Sequence, residues 1–278
     1  MSVITSTLQQ YREFGYAAPL RVMDEEEARG YRSALEESER ARGRPLDGDE
    51  RIKPHLLFHW AADLVRHPAV LDAVQAVIGP NILFWDSSLF TKEAERPDYI
   101  SWHQDLRYWG LDPGDQVVTA WIALSPSTVE SGCMRVVPGS HHHDLVPHTN
   151  TLAPNNMLSY GQEVQAKVDE NTAADLVLRP GEMSLHHAMI IHGSAPNGSG
   201  DRRIGFAIRY LPTSVRQTAG WRDWARLVRG VDDFHNFDPE PVLREYDTPE
   251  AHALHAEAHN RRKAAKRSIV EAAAKQAV

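Results

Sequence analysis

The sequence predicts a mainly β fold with helical additions. A jelly-roll core is expected over about residues 80–212, with a helical N-terminal part and a C-terminal helical extension, in one domain over 1–278. Three observations lead there. From Ile82 onward, short apolar runs recur, each closed by Gly, Pro or Asn, a spacing that suits strands and turns. On either side of that stretch, charged helix formers dominate. No repeat and no linker divides the chain.

Taken in order, Asp24-Glu-Glu-Glu-Ala28 opens a charged helical run to residue 42, with Asp24 placed to cap its amino end. A second helical stretch covers roughly 58–78 and breaks near Pro68, because proline lacks the amide hydrogen that a helix interior needs. Strand-like runs follow at 82–90, 117–124, 135–137, 176–178, 183–185 and 204–211. Tyr99 to Gly110 is apolar and aromatic and ends in glycine, reading as a strand that runs out into a loop. After Pro212 aromatic and charged residues mix without a period, and from about Pro249 a solvated terminal helix is expected.

Composition narrows the function class. A hydrophobic content of 42% in 278 residues supports a sizeable core, and no apolar run approaches membrane-spanning length. The formal net charge of −8 argues against nucleic acid or an anionic membrane as the main partner. Met1 to Gln10 shows no basic region followed by an apolar stretch, so no secretory signal is expected. The single cysteine, Cys133, fits a reducing compartment, and the cytoplasm is the expected location. A small molecule is the expected partner; the sequence specifies no oligomeric state.

The chemistry concentrates at His103-Gln-Asp105, a distant His192 and, eleven residues further on, Arg203. Two imidazoles and one carboxylate on one face of a metal leave coordination positions open, the ligand set of non-haem Fe(II) oxygenases. An arginine fork suits a second carboxylate, such as the distal end of a keto acid. A His-x-Asp triplet alone is weak. With 15 His and 19 Asp in the chain, chance supplies roughly one, and a second, His142-His-Asp144, is present. Context separates the two: His103 ends a strand-like run, whereas His142 follows the turn signature Pro138-Gly-Ser140 among polar neighbours. A redox-inert site is the competing reading: a jelly-roll metal binder, or a cupin-like hydrolase or isomerase holding Zn or Mn. A zinc hydrolase has no use for Arg203 at a fixed remove, and the chain has no His-Glu-x-x-His motif.

Trp102-His-Gln-Asp-Leu-Arg-Tyr-Trp-Gly-Leu-Asp112 resembles the iron-binding stretch of the phytanoyl-CoA dioxygenase family. So do Trp121-Ile-Ala-Leu124, Ser131-Gly-Cys-Met134, Val137-Pro-Gly-Ser-His141 and Met183-Ser-Leu-His-His187. The resemblance closes with His192-Gly-Ser-Ala-Pro-Asn197 and Arg202-Arg-Ile-Gly-Phe-Ala-Ile-Arg-Tyr210, all in family order. It implies a double-stranded β-helix in which His103, Asp105 and His192 hold Fe(II). It further implies that 2-oxoglutarate binds through its C1 carboxylate and keto oxygen, with its far carboxylate on Arg203. O2 is then consumed and succinate and CO2 are released as a small metabolite is hydroxylated. Arg202 is a rival for the co-substrate; if residue 203 begins a strand the two point to opposite faces, and the family spacing favours Arg203. Related halogenases carry a small residue where Asp105 stands, so hydroxylation is implied rather than chlorination. Desaturation and ring closure need the same ligands.

Around that centre the roles are more open. Lys92 resembles a position that contacts 2-oxoglutarate in some members, and reads equally as an ordinary lysine at a strand end. Trp121 matches a family tryptophan near the co-substrate, or is core. Thr119 and Ser194 are placed to hydrogen-bond a carboxylate. His186 and His187 are expected to support rather than ligate, His141 to His143 carry no catalytic weight, and Cys133 is expected to pack in the core. Arg107, Tyr108 and Trp109 are expected at the substrate rim. Arg209 and the stretch Val215-Arg-Gln217 meet either an anionic substrate or structural partners. The long polar segment 148–172 is expected to be a lid. No compact basic cluster suits the phosphates of an acyl-CoA.

Overall fold

Asp24 takes the capping position that its place before a run of glutamates implies: its Oδ1 accepts the Glu27 amide hydrogen at 2.8 Å. From there the computed structural model follows the chain through residues 3–151, 153–158, 161–165, 167–218 and 222–276. Helices α1 (Val3–Phe14) and α2 (Glu25–Arg42) enclose strand β1 (Tyr16–Arg21), and α3 (His59–Leu64) and α4 (Pro68–Ile78) follow. Pro68 opens α4 at a first-turn position, where its missing amide hydrogen costs nothing. Then come β2 (Ile82–Lys92), β3 (Ile100–His103), β4 (Leu111–Asp112), β5 (Val118–Ala123) and β6 (Met134–Val136). The hairpin β7 (His148–Asn150) and β8 (Gln162–Val164) leads to β9 (Ala174–Leu176), β10 (Glu182–His187) and β11 (His192–Ser194). The chain closes with β12 (Arg203–Pro212), β13 (Arg216–Gln217), β14 (Trp224–Arg229), β15 (Asp238–Pro239) and α5 (Pro249–Gln276). The fold is mainly β with a jelly-roll core.

Two units divide the chain. The first comprises Met1–Arg32, Phe90–Asp105 and Thr119–Ala207. Within it β1, β10, β5 and parts of β12 and β2 form one sheet in that order, and β3, β11, β6 and β9 form another. Trp121, Ala123 and Ala207 from the first sheet share an apolar cluster with Met134, Val136 and Leu176 from the second, as two packed sheets require. Strand β1 escapes recognition in the sequence because Tyr-Ala-Ala-Pro-Leu-Arg carries little strand propensity. It forms by pairing with β10, with a register irregularity between Ala17 and Leu20 that accommodates Pro19 at the sheet edge.

The second unit comprises Ser33–Leu89, Leu106–Val118 and Ile208–Val278. Here β14 pairs antiparallel with β2, Arg226 opposite Phe84, and parallel with β15. The expectation of a solvated terminal helix holds only in part, since Ala258 of α5 packs against Leu56 and Trp224. Under that helix lies a buried ionic network. The Lys53 ammonium donates to the Trp85 carbonyl (2.7 Å) and lies 3.7 Å from Asp86 and 3.8 Å from Glu240. His55 bridges Ser87 Oγ (2.7 Å) and both Glu240 oxygens (3.1 Å), and Arg226 and Arg262 reach Glu240 and Asp86 at 3.1 and 3.3 Å. The Ser87–His55–Glu240 line has the residue types of a nucleophilic triad, but it is buried throughout and meets no solvent, so its role is structural.

Burial alone would raise both carboxyls, but Arg262 and Lys53 hold Asp86 down to about 2, and His55, Lys53 and Arg226 hold Glu240 down to about 2. The folded form therefore binds fewer protons than the unfolded chain in mild acid. The stabilisation is complete above the ordinary carboxylate range and is lost as pH falls towards about 2. Urea midpoints are expected to decline steadily from pH 5 to pH 3. Glu240→Gln should cost about 3–5 kcal/mol at neutral pH by leaving Lys53 and Arg226 without their shared carboxylate. The same titration of the variant should show a shallower acid decline.

Candidate metal centre

Strand β3 ends at His103, and β11 begins at His192. The two strands pair antiparallel with His192 directly opposite His103, so residues 89 apart in sequence stand side by side. Their rings lie 4.1 Å apart between centroids, and the Asp105 Oδ1 is 3.5 Å from the His103 Nε2. One ligand atom from each of His103, Asp105 and His192 falls within 4.8 Å of the others, and among the described residues no other such group occurs. Gly193, the residue after the second histidine, permits this approach: an added Cβ would stand 3.0 Å from the Ile100 carbonyl oxygen.

Each histidine is oriented by a backbone carbonyl. His103 Nδ1–H donates to Ser101 O at 2.9 Å and His192 Nδ1–H to Ile190 O at 3.0 Å. With Nδ1 holding the proton, Nε2 presents its lone pair, the form a metal requires. His186 lies with its ring 5.1 Å from that of His192 and outside the ligand group. His187, next along β10, turns to the other face, 5.9 Å from the Tyr11 ring and 5.1 Å from that of His141. His141 and His142 donate to the carbonyls of Arg12 and Glu13 at the end of α1, so they serve as helix caps.

Arg203 is buried to 1% exposure at the start of β12, and Arg202 beside it turns outward to Glu93 at 2.7 Å. The strand alternation that separates the two arginines thus appears as expected. The Arg203 Nη1–H donates to the Gly132 carbonyl at 2.8 Å, and its guanidinium lies 5.2 Å over the Trp121 ring. Its Nε and Nη2 have no hydrogen-bond partner among the described residues, and burial lowers the group to about 10. Trp121 is both core and site, since it belongs to the inter-sheet cluster while facing Arg203. Gly205 makes that possible; a Cβ there would fall 1.8 Å from the indole. Thr119, two residues before Trp121 on the same strand face, has a buried Oγ1 without a partner.

Lys92 is wholly buried, not a solvated strand-end lysine. It donates to Ser194 Oγ at 2.6 Å and to the Ala195 carbonyl, and burial and then Arg203 lower it to about 6. Ser194 therefore faces a lysine. Burial pushes the Cys133 thiol up to about 11, in keeping with a packing role. The rim residues lie in the other unit. There Trp109 is buried, Arg209 donates to Ser88 Oγ at 2.8 Å and lies 5.9 Å over the Trp109 ring, and Arg216 pairs with Asp112 at 2.7 Å. The Tyr108 side chain is outside the described residues.

The donor set fits a divalent metal and an anionic chelator. Two neutral imidazoles and a carboxylate suit the ion, and a buried guanidinium with two unspent donors, beside an unpartnered hydroxyl, suits a carboxylate. Sequence reasoning missed Gln104, whose side chain holds Val146 and Met189, and it missed the form of the 148–172 segment. That segment carries the β7–β8 hairpin, His148 opposite Val164, in place of an open loop.

Comparison with known proteins agrees. The chain is 33% identical to a solved non-heme monooxygenase, ThoJ, over 95% of this chain and 99% of that one, with a TM-score of 0.84. It is 30% identical to the peroxisomal phytanoyl-CoA dioxygenase of Homo sapiens over 47% of this chain and 39% of that protein. It is likewise 30% identical to a probable alpha-ketoglutarate-dependent hypophosphite dioxygenase of Stutzerimonas stutzeri, over 56% and 54%. The chain thus spans about two-fifths to just over half of the length of these two curated relatives. The phytanoyl-CoA dioxygenase profile, PhyH, matches residues 11–205. With the His-x-Asp…His group, the arginine and the paired sheets in place, the chain belongs to the phytanoyl-CoA dioxygenase family.

Proposed function

We propose that this protein is a non-haem Fe(II)- and 2-oxoglutarate-dependent dioxygenase that hydroxylates a small-molecule metabolite, with release of succinate and CO2. The observation that carries the reading is Arg203, a buried cation without a carboxylate partner among the described residues and with two unspent donor nitrogens. Burying an uncompensated guanidinium is costly, and a dicarboxylate co-substrate supplies the missing charge. His103, Asp105 and His192 would hold Fe(II), and bound iron would supply the oxygen activation that no side chain here provides. Arg203 would bind and orient the distal carboxylate, with Thr119 Oγ1 offering it a further hydrogen bond and Trp121 fixing the guanidinium plane. Lys92, through Ser194 and the carbonyls of Ala195 and Gly132, would hold the segment just after His192. Asp105 favours hydroxylation over chlorination. The 148–172 segment would exclude water.

We place the whole of 1–278 in one catalytic domain, since β2, β5 and β12 each run from one unit into the other. Cytoplasmic residence accords with the lone buried thiol. No helix among the described residues is long and apolar enough to cross a membrane.

Anaerobic addition of Fe(II) and then 2-oxoglutarate to metal-free protein is expected to produce the visible charge-transfer band of a chelated keto acid. Iron binding without the band would instead favour a redox-inert metal protein. Asp105→Ala should lose the band altogether. In Arg203→Ala the 2-oxoglutarate concentration needed for half the band should rise roughly a hundredfold, with little change in Arg202→Ala. The reverse order would move the co-substrate arginine by one residue.

A further inference from the structure

The residue between the two ligands of the His-x-Asp motif is almost wholly buried, at 1% exposure, and it is fully used. Gln104 Nε2–H donates to the Met189 carbonyl at 2.8 Å, and its Oε1 accepts the Val146 amide hydrogen at 2.9 Å. Its own backbone N–H donates to His148 Nε2 at 3.1 Å, and that ring is held by Nδ1–H donation to the Val146 carbonyl at 2.8 Å. One glutamine therefore holds the first residue of the β7–β8 hairpin, His148, by its backbone and the approach to it, Val146, by its side chain, and grips the turn leading into β11.

The hairpin and its loop meet two further residues, Tyr99 just before β3 and Ser101 within it. Tyr99 exchanges backbone hydrogen bonds of 2.9 Å with Asn155 and Met157. Ser101 Oγ donates to the Gln162 carbonyl at 2.6 Å and accepts from Asn156 Nδ2 at 2.9 Å. The carbonyl of that same Ser101 orients His103, while Met189, which Gln104 holds, precedes Ile190, whose carbonyl orients His192. Each metal histidine is thus set by a backbone group at most one residue from a contact that also fixes the hairpin or the glutamine.

We propose that Gln104 is a positioning residue that couples metal loading to docking of the hairpin, so that an ion at the histidines and the docked β7–β8 pair stabilise one another. The inference rests on the metal reading of His103, Asp105 and His192. Because the coupling is thermodynamic it must be reciprocal: the ion favours the docked hairpin by the same factor by which the docked hairpin favours the ion.

Amide hydrogen exchange over 146–165, with and without saturating Ni(II) as a redox-inert probe, tests it alongside a Ni(II) titration. In the unmodified protein Ni(II) is expected to slow exchange in the hairpin at least tenfold. Gln104→Met should still bind Ni(II), more weakly, with that slowing largely lost. Gln104→Glu keeps an acceptor for the Val146 amide but no donor for Met189, so it should retain the slowing while losing affinity. His148→Ala lies outside the metal strand and guards against a Gln104 variant that fails to fold. It should weaken Ni(II) several-fold although it is not one of the three candidate ligands. Tight Ni(II) binding with unchanged hairpin exchange in the unmodified protein would overturn the coupling and leave the metal reading intact. No Ni(II) binding at all would overturn both.

Discussion

The antiparallel pairing of β11 with β3 is the constraint from which the site follows. It sets His192 opposite His103 at the ends of two neighbouring strands, and the Gly193 backbone lets the strands close to a distance at which an added Cβ would crowd the Ile100 carbonyl. A short strand pair is stiff only when something covers it. Here β6 and β9 continue the sheet on one side, and the inter-sheet cluster around Trp121, Met134 and Leu176 supports its face. The carbonyls of Ser101 and Ile190, fixed by those strands, then select the ring nitrogen that each histidine presents. Metal geometry is thereby specified by backbone, which a side-chain substitution elsewhere in the core perturbs little.

Both units carry buried charge, but on different terms. In the second unit each buried carboxylate of Asp86 and Glu240 has at least two cationic neighbours, and the balance makes the network a structural element with acid sensitivity. In the first unit Lys92 and Arg203 are basic groups with no salt bridge to a carboxylate among the described residues, and Arg203 adds to the burial that lowers Lys92. The lysine spends its donors on a hydroxyl and two carbonyls, whereas the arginine keeps two unspent. A protein interior that tolerates such a group does so because a ligand compensates it, or because the packed sheets around it hold it in place regardless. The Trp121 face and the Gly132 carbonyl supply the second of these and point the unspent edge in a fixed direction.

The residues that cluster as a candidate metal centre were legible in the sequence because their signal is local. His-Gln-Asp sits at the end of a strand-like run, and Arg203 follows His192 at a fixed spacing along one stretch of chain. Strand alternation then separated Arg203 from Arg202 without any structure. What was not legible depends on distant partners. The side-chain bonds of Gln104 reach across 42 and 85 residues, and Lys92 reaches Ser194 across 102, so no window of sequence distinguishes a buried lysine from a solvated one. Strand β1 and the 148–172 hairpin were missed for a related reason. Neither has a strand's composition, and each forms because a neighbouring strand offers unpaired backbone groups that would otherwise be buried without partners.

That dependence on neighbours gives the hairpin its character. A two-stranded ribbon is marginal by itself, so its order is borrowed from whatever it docks against. Strand β3 and the residues on either side of it lend it three attachment points, at Tyr99, Ser101 and Gln104, and one of them, Ser101, also orients His103. A covering segment with its own core would open and close indifferently to the site beneath it. One that leans on the strand bearing the ligands responds to how firmly that strand is held. In the proposed coupling an ion on His103 and Asp105 would stiffen the end of that stretch, and the hairpin docked on it would gain order. Water exclusion is then tied to the state of the centre that most needs it, through hydrogen bonds already present in the fold.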